Sequence, residues 1–196
     1  RWFCEAFKGN ENVGLVIKTN LGRSTLKDRE LTITSLKELI NDARKGSFPR
    51  IELIHGHLTS EEISCIYKNK SIKCFISATR GEGYGLPLVD AAAAGMPVVV
   101  PPWSGHMEFL KESHITPVDY SLKEIHESRV DDRIFMRGSR WAEIDPEDFK
   151  QKLISVYQNY KATKKKAQTL QQFVRSGFSR DAVFKRYDEV VGKYLN

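Results

Sequence analysis

From Val13 to Pro101 the chain alternates short apolar runs with stretches whose apolar positions recur at helical spacing. Val13 to Lys18 (V-G-L-V-I-K) predicts a buried strand, and Leu36, Leu39 and Ile40 mark the apolar face of a following helix. Ile51–Ile54 predicts a second strand. Thr59 and Glu62 have capping-box spacing ahead of Ile63, Ile66 and Tyr67, which recur at helical intervals. Ile72–Ile76 predicts a third strand, then a glycine-rich loop and a short helix over Pro87–Ala94, which Gly95 stops and Pro97 keeps from resuming. Pro97–Val100 predicts a fourth strand. Strands separated by helices imply an α/β fold, a Rossmann-like parallel sheet flanked by helices on both faces.

The pattern changes after Pro117. Val118–Tyr120 predicts one more short strand, and residues 121–144 read as polar and irregular. Asp145 and Pro146 have the chemistry of a helix cap and first turn, ahead of an apolar stripe of Phe149, Leu153, Val156, Tyr157 and Tyr160. A second helix carries Leu170, Phe173 and Val174 and ends at Gly177. Ser179 caps a third, with Phe184, Tyr187, Val191 and Tyr194 on one face. Arg1–Phe7 reads as a helix running into the first strand, whereas a doubly wound sheet opens with a strand; the natural chain is therefore expected to extend upstream.

With 40% hydrophobic and 29% charged residues in 196, the composition is that of a folded domain with a core of its own. No apolar run approaches the roughly 18 residues that would span a bilayer. Cys4, Cys65 and Cys74 are odd in number and lack metal or disulfide spacing, which suits a reduced, cytoplasmic compartment. The net charge of +6 is diffuse except at Lys161–Lys166, read as a solvated helix face or turn, with an anionic membrane surface as the sharper alternative. No aromatics interleave with it as nucleic-acid binding would require.

The chemistry concentrates between Ser77 and Pro101. Glycines after a buried strand let backbone amides approach a ligand, and a helix start adds unpaired N–H groups and a positive dipole end. Such a loop at the carboxyl edge of a parallel sheet suits a diphosphate. Glu82 and Asp90 flank it; each carboxylate can accept from a vicinal diol, one toward a ribose and one toward a sugar. Tyr84 could wall the pocket, and Trp103, His106 and Glu108 follow the next strand as candidates for lining or orienting its sugar end.

The run Glu82 to Val100, E-G-Y-G-L-P-L-V-D-A-A-A-A-G-M-P-V-V-V, resembles the E-x7-E segment of glycosyltransferase family four, E-G-F-G-L-P-x-x-E-A-x-x-x-G-x-P-V-V. Gly56–Glu62 resembles the family's strand end and helix before that segment, and Ser104–Glu108 resembles the G-G-x-x-E after it. The resemblance implies the C-terminal half of a GT-B fold, with residues 1–177 as a Rossmann-like nucleotide-sugar-binding domain and 178–196 as a tail whose last helix crosses back to the other domain. It implies a retaining, metal-independent transfer of a sugar from a nucleotide-diphosphate donor to a glycan or lipid-linked acceptor, with no cofactor beyond the donor itself, as in polysaccharide biosynthesis. Glu82 would be the catalytic-site carboxylate on the donor sugar. Amides near Gly83, Tyr84, Gly85 and Leu86 would hold phosphate or sugar oxygens, Asp90 the ribose, and His57 and Leu58 would lie near the base. The alternative for His57 is an ordinary surface histidine.

Asp90 is one methylene shorter than the family's Glu. The family's phosphate-binding Arg and Lys follow the first strand in a loop that is expected to lie outside this sequence; Lys18 and Arg80 are the candidate substitutes, each otherwise a solvated charge. The amino-terminal acceptor domain is expected as a missing partner and nucleic acid is not, with peripheral membrane association as the alternative reading of the lysine run. A GT-B epimerase and a non-catalytic nucleotide-sugar-binding module are the rival readings. No G-x-S-x-G elbow supports a hydrolase.

Overall fold

A computed structural model describes residues 1–195. The elements run α1 (Trp2–Ala6), β1 (Gly14–Thr19), α2 (Leu26–Ala43), β2 (Arg50–His55), α3 (Ser60–Lys68), β3 (Phe75–Ile76), α4 (Leu86–Ala93), β4 (Val98–Val100), β5 (Thr116–Pro117), β6 (Tyr120–Glu124), β7 (Arg140–Ile144), α5 (Pro146–Gln158), α6 (Tyr160–Gly177) and α7 (Arg180–Val191). The fold is mixed α/β, with parallel strands flanked by helices and a helical tail. The parallel strands form two ladders, β1–β2 and β3–β4–β5, while β6 and β7 pair antiparallel.

β4 shows why its sequence is a continuous apolar run. Val98 and Val100 enter one core with Leu88, Ala91 and Ala92 of α4 and Leu170 and Val174 of α6. Val99, pointing the other way, enters a second core with Phe7, Val118, Ile144 and, from α5, Phe149, Leu153 and Val156. A strand covered on both faces has no polar alternation. α4 is tied down at its end: Gln171 Nε2 and Arg175 Nε on α6 donate to Ala93 O (3.0 and 2.8 Å), and Lys164 Nζ donates to Gly95 O. Those bonds satisfy carbonyls that a helix end leaves open. Gly95 sits at φ +69°, and a Cβ there would lie 2.8 Å from Gln171 Oε1.

Several boundaries differ from the sequence pattern. The third strand is only Phe75–Ile76, because its partner β4 is bracketed by Pro97 and Pro101, which have no N–H to extend the ladder. Phe75 N and Ser77 N donate to Pro97 O and Val99 O (2.8 and 2.9 Å). Residues 121–144 are not irregular throughout: β6 and β7 form an antiparallel arm from Tyr120↔Ile144 to Glu124↔Arg140. Its outer face meets solvent, so backbone pairing proceeds without apolar alternation. Tyr160 opens α6 instead of closing the α5 stripe. On α2 the inward positions are Asp28 and Thr32, and Leu39 is exposed. Phe184 and Tyr187 of α7, and Tyr194 in the 3-10 turn that follows it, are likewise exposed. Within Arg1–Phe7 the expected helix forms as α1, ahead of β1, and packs on α5, where Trp2 meets the Phe149 ring (5.7 Å) and Lys150 pairs with Glu5 (3.1 Å).

Candidate functional site

Gly81–Leu86 connects β3 to α4 at the carboxyl end of the parallel strands. α4 begins at Leu86, one residue before the expected Pro87, because Gly85 takes φ +87° as its cap and its carbonyl accepts from Leu88 N and Val89 N (2.9 and 3.1 Å). Gly85 is buried beneath the loop; a Cβ there would lie 3.1 Å from Leu88 Cδ1 and 3.2 Å from His106 Cβ. The N–H groups of Gly83, Tyr84, Gly85 and Leu86 meet no acceptor among the described residues. Four free donors and a helix start suit the oxygens of an anion.

The loop is pinned from behind by the segment after β4. Ser104 Oγ accepts from Glu82 N (3.0 Å) and donates to Glu82 O (2.7 Å), and Gly105 N donates to the same carbonyl (3.1 Å). Gly105 approaches so closely that a Cβ would sit 2.0 Å from Gly83 O. Next to it, His106 is fully buried and bonds Pro101 O through Nε2 (2.8 Å), with Nδ1 unpartnered. His106 therefore braces the loop from the core and does not line its sugar end. Trp103 stacks toward Tyr120 (6.1 Å) and Glu108 is exposed. The backing role belongs to Ser104 and Gly105, whose signal in the sequence was the S-G step inside the G-G-x-x-E-like segment.

The Glu82 and Asp90 carboxylates accept no hydrogen bond among the described residues. Partial loss of solvent raises the Asp90 pKa. Tyr67 of α3 is pushed up to about 12, first by burial and then by the charge of Asp90, so its phenol is a neutral neighbour of that carboxylate. The sequence pattern placed Tyr67 only on a helix face. Tyr84 packs its ring on Phe109 (5.0 Å), leaving an exposed edge beside the loop.

Arg80 is held by the arm: its guanidinium stacks on Trp141 (4.2 Å) and pairs with Glu143 (3.1 Å), while its carbonyl accepts from Ala142 N (2.9 Å). Lys18 lies on the outer face of β1 with Val16, His57 is exposed and Leu58 half-buried; no hydrogen bond or ion pair joins them to the Gly81–Leu86 loop among the described residues. A loop after β1 does exist. Leu21, Gly22, Arg23 and Thr25 lead into α2 and, with Lys27, Asp28 and Leu31, line an open concavity of about 460 Å³. Asp28 anchors it, accepting from Leu21 N (3.3 Å) and meeting His55 Nε2 (3.0 Å). Arg23 and Lys27 are further cations at this loop, and the N-cap Thr25 that opens α2 past the end of β1 is their signal in the sequence. No group of three or more His, Cys, Asp or Glu side chains with metal-site geometry forms among the described residues.

The fold, with a glycine loop and two unpartnered carboxylates at the carboxyl edge of parallel strands, is that of a GT-B glycosyltransferase domain. The pneumococcal O-GlcNAc transferase GtfA, solved in complex with UDP and GlcNAc, superposes with a TM-score of 0.57 at 19% identity, covering 97% of this chain and 37% of that one. A GtfA/B complex superposes with a TM-score of 0.57 at 15% identity over 93% and 36%. The chain thus spans little more than a third of those chains' length, and at such identities the likeness is one of fold. The chain belongs to the family described as Family 4 Glycosyltransferase in conflict systems, whose model matches residues 59–186. No curated protein matches it.

Proposed function

We propose that this glycosyltransferase domain holds the nucleotide-diphosphate-sugar donor of a retaining transfer, with Glu82 toward the donor sugar and Asp90 toward the ribose. The observation that carries the reading is the contrast at Glu82: its backbone is bonded at both N–H and C=O, while its carboxylate and the amides that follow it are unpartnered. Groups pinned in place yet unsatisfied are pre-organised for a ligand. The order of E-x7-E-like residues from Glu82 to Val100 supports the same assignment, as does family membership. GtfA's complex with UDP and GlcNAc makes UDP-N-acetylglucosamine the first donor to test.

In this reading the free amides at Gly83–Leu86 hold the diphosphate, and Arg23 and Lys27, which line the concavity after β1, are the proposed source of cationic charge. The bond from the anomeric carbon to the diphosphate oxygen breaks, and charge develops on both sides of it. Fixed N–H dipoles and Glu82 stabilise that charge separation. The acceptor hydroxyl oxygen adds on the face the diphosphate leaves and gives its proton to the departing diphosphate oxygen, and a second α/β domain contributes the acceptor side. A glycan or a lipid-linked sugar is the proposed acceptor class. The isolated chain is expected to bind donor and turn over little, since one domain cannot exclude water from the reacting centre.

Calorimetry with uridine, guanosine and adenosine diphosphates and their sugar conjugates tests the reading. One nucleotide series should bind, Glu82→Gln should weaken the sugar conjugate about tenfold more than the free diphosphate, and Asp90→Asn should weaken both. Absence of binding to every member of the three series overturns it.

A further inference from the structure

Ser104 has a backbone conformation that its side chain should resist. Its φ is +89° and ψ −166°, a region that residues with a Cβ rarely enter. The strain is not needed to close a turn for its own sake, since a glycine there would make the same turn without it. What serine adds is its hydroxyl, which donates to Glu82 O (2.7 Å) and accepts from Glu82 N (3.0 Å). Gly105 N gives that carbonyl a second bond (3.1 Å), and the neighbouring glycine's lack of a Cβ is what permits the two backbones to meet. One side chain thereby grips both polar backbone atoms of the residue whose carboxylate is free. No other side chain bonds the Glu82 backbone among the described residues.

We propose that Ser104 is the positioning residue for Glu82, a strained clamp that fixes the direction of its carboxylate toward the donor sugar. The proposal rests on the donor-site reading above and deepens it: the strain at Ser104 is tolerated for sugar recognition, not for folding. Its effect must therefore run through Glu82 and fall on the sugar, not on the nucleotide.

Three variants separate these possibilities, with UDP and UDP-N-acetylglucosamine as probes, or the guanosine or adenosine pair if that one binds in the screen above. Ser104→Ala removes the hydroxyl and keeps the strain; Ser104→Gly removes both. Ser104→Gly should therefore melt at a higher temperature than Ser104→Ala. Both should nevertheless lose the preference for the sugar conjugate by a similar factor, about tenfold, with affinity for the free diphosphate held within about twofold. Combined with Glu82→Gln, Ser104→Gly should bring no further loss, as expected for two residues acting through one interaction. Losses that follow the melting order, or that add to those of Glu82→Gln, overturn the clamp.

A ligand-free measurement keeps the two claims apart. The Glu82 amide should exchange slowly with solvent in the native chain and at least tenfold faster in both Ser104 variants. If exchange is unchanged the clamp is wrong, whatever binds. If exchange changes as expected but native protein shows no sugar preference, the donor-site reading fails and the assigned purpose of the clamp fails with it.

Discussion

At the residue scale, Asp90 combines stability and binding in opposite senses. Its pKa is raised by lost solvent, so the folded chain holds the proton more tightly than the unfolded chain does. The unfavourable effect is absent below the unfolded carboxyl pKa and develops as pH rises through the folded value. Asp90→Asn should accordingly raise the melting temperature at pH 7 relative to native protein, with the gap closing in acid, while nucleotide binding weakens. A melting series from pH 3 to 7 checks this, and a gap that widens in acid would contradict it. Gly105→Ala belongs at the same scale. A Cβ 2.0 Å from Gly83 O must push backbone against backbone. The cost should reach at least about 2 kcal/mol, the middle of the range for overpacking, with sugar binding lost as the Glu82 loop shifts. A melting curve within a degree of native would show that the segment relaxes.

Elements differ in how much of their order is local. α3 has a complete capping box: Thr59 Oγ1 accepts from Glu62 N (3.2 Å), and Glu62 Oε2 accepts from Thr59 N (2.7 Å). Thr59→Ala should cost about 1 kcal/mol, read as a small fall in melting temperature, and leave nucleotide affinity within twofold unless the cap also positions Tyr67. α4, by contrast, is held by neighbours, through the bonds from Gln171 and Arg175 to Ala93 O. The lysines of the 161–166 run divide similarly: Lys164 caps the end of α4, while Lys161, Lys165 and Lys166 are exposed on α6. The β6–β7 arm reaches the candidate site as an element, because Ala142 N bonds Arg80 O and Trp141 stacks on the Arg80 guanidinium. Trp141→Ala should loosen that loop and weaken donor binding several-fold by calorimetry, with little change in melting if the arm's main task is to brace Arg80.

Across the whole molecule the two parallel ladders are unequally enclosed. β4 is covered on both faces, whereas β1 leaves Val16 and Lys18 on an open face and α2 leaves Leu26 and Leu39 exposed. Amides of Val98–Val100 should therefore exchange only through global opening, and those of β1 and β2 at a lower free energy; equal protection in both ladders would refute this ordering. No described helix is long and apolar enough to cross a membrane. The sequence by itself determined the alternation of strands and helices, the caps at Thr59, Asp145 and Ser179, and the glycine loop that leads into α4, because caps, turns and apolar periods are local properties of neighbouring residues. It also indicated family four through an ordered run of residues. It left the arm at 121–144 unread, since only Ala142 and Ile144 of the pair are buried and the rest is held by backbone bonds that polar side chains do not reveal. Only tertiary structure decided that Ser104 and Gly105 meet Glu82 across more than twenty residues of chain, that His106 is core, that Arg80 is bound to the arm and that Tyr67 feels the charge of Asp90. Those relations depend on which surfaces come together, and no spacing along the chain encodes them.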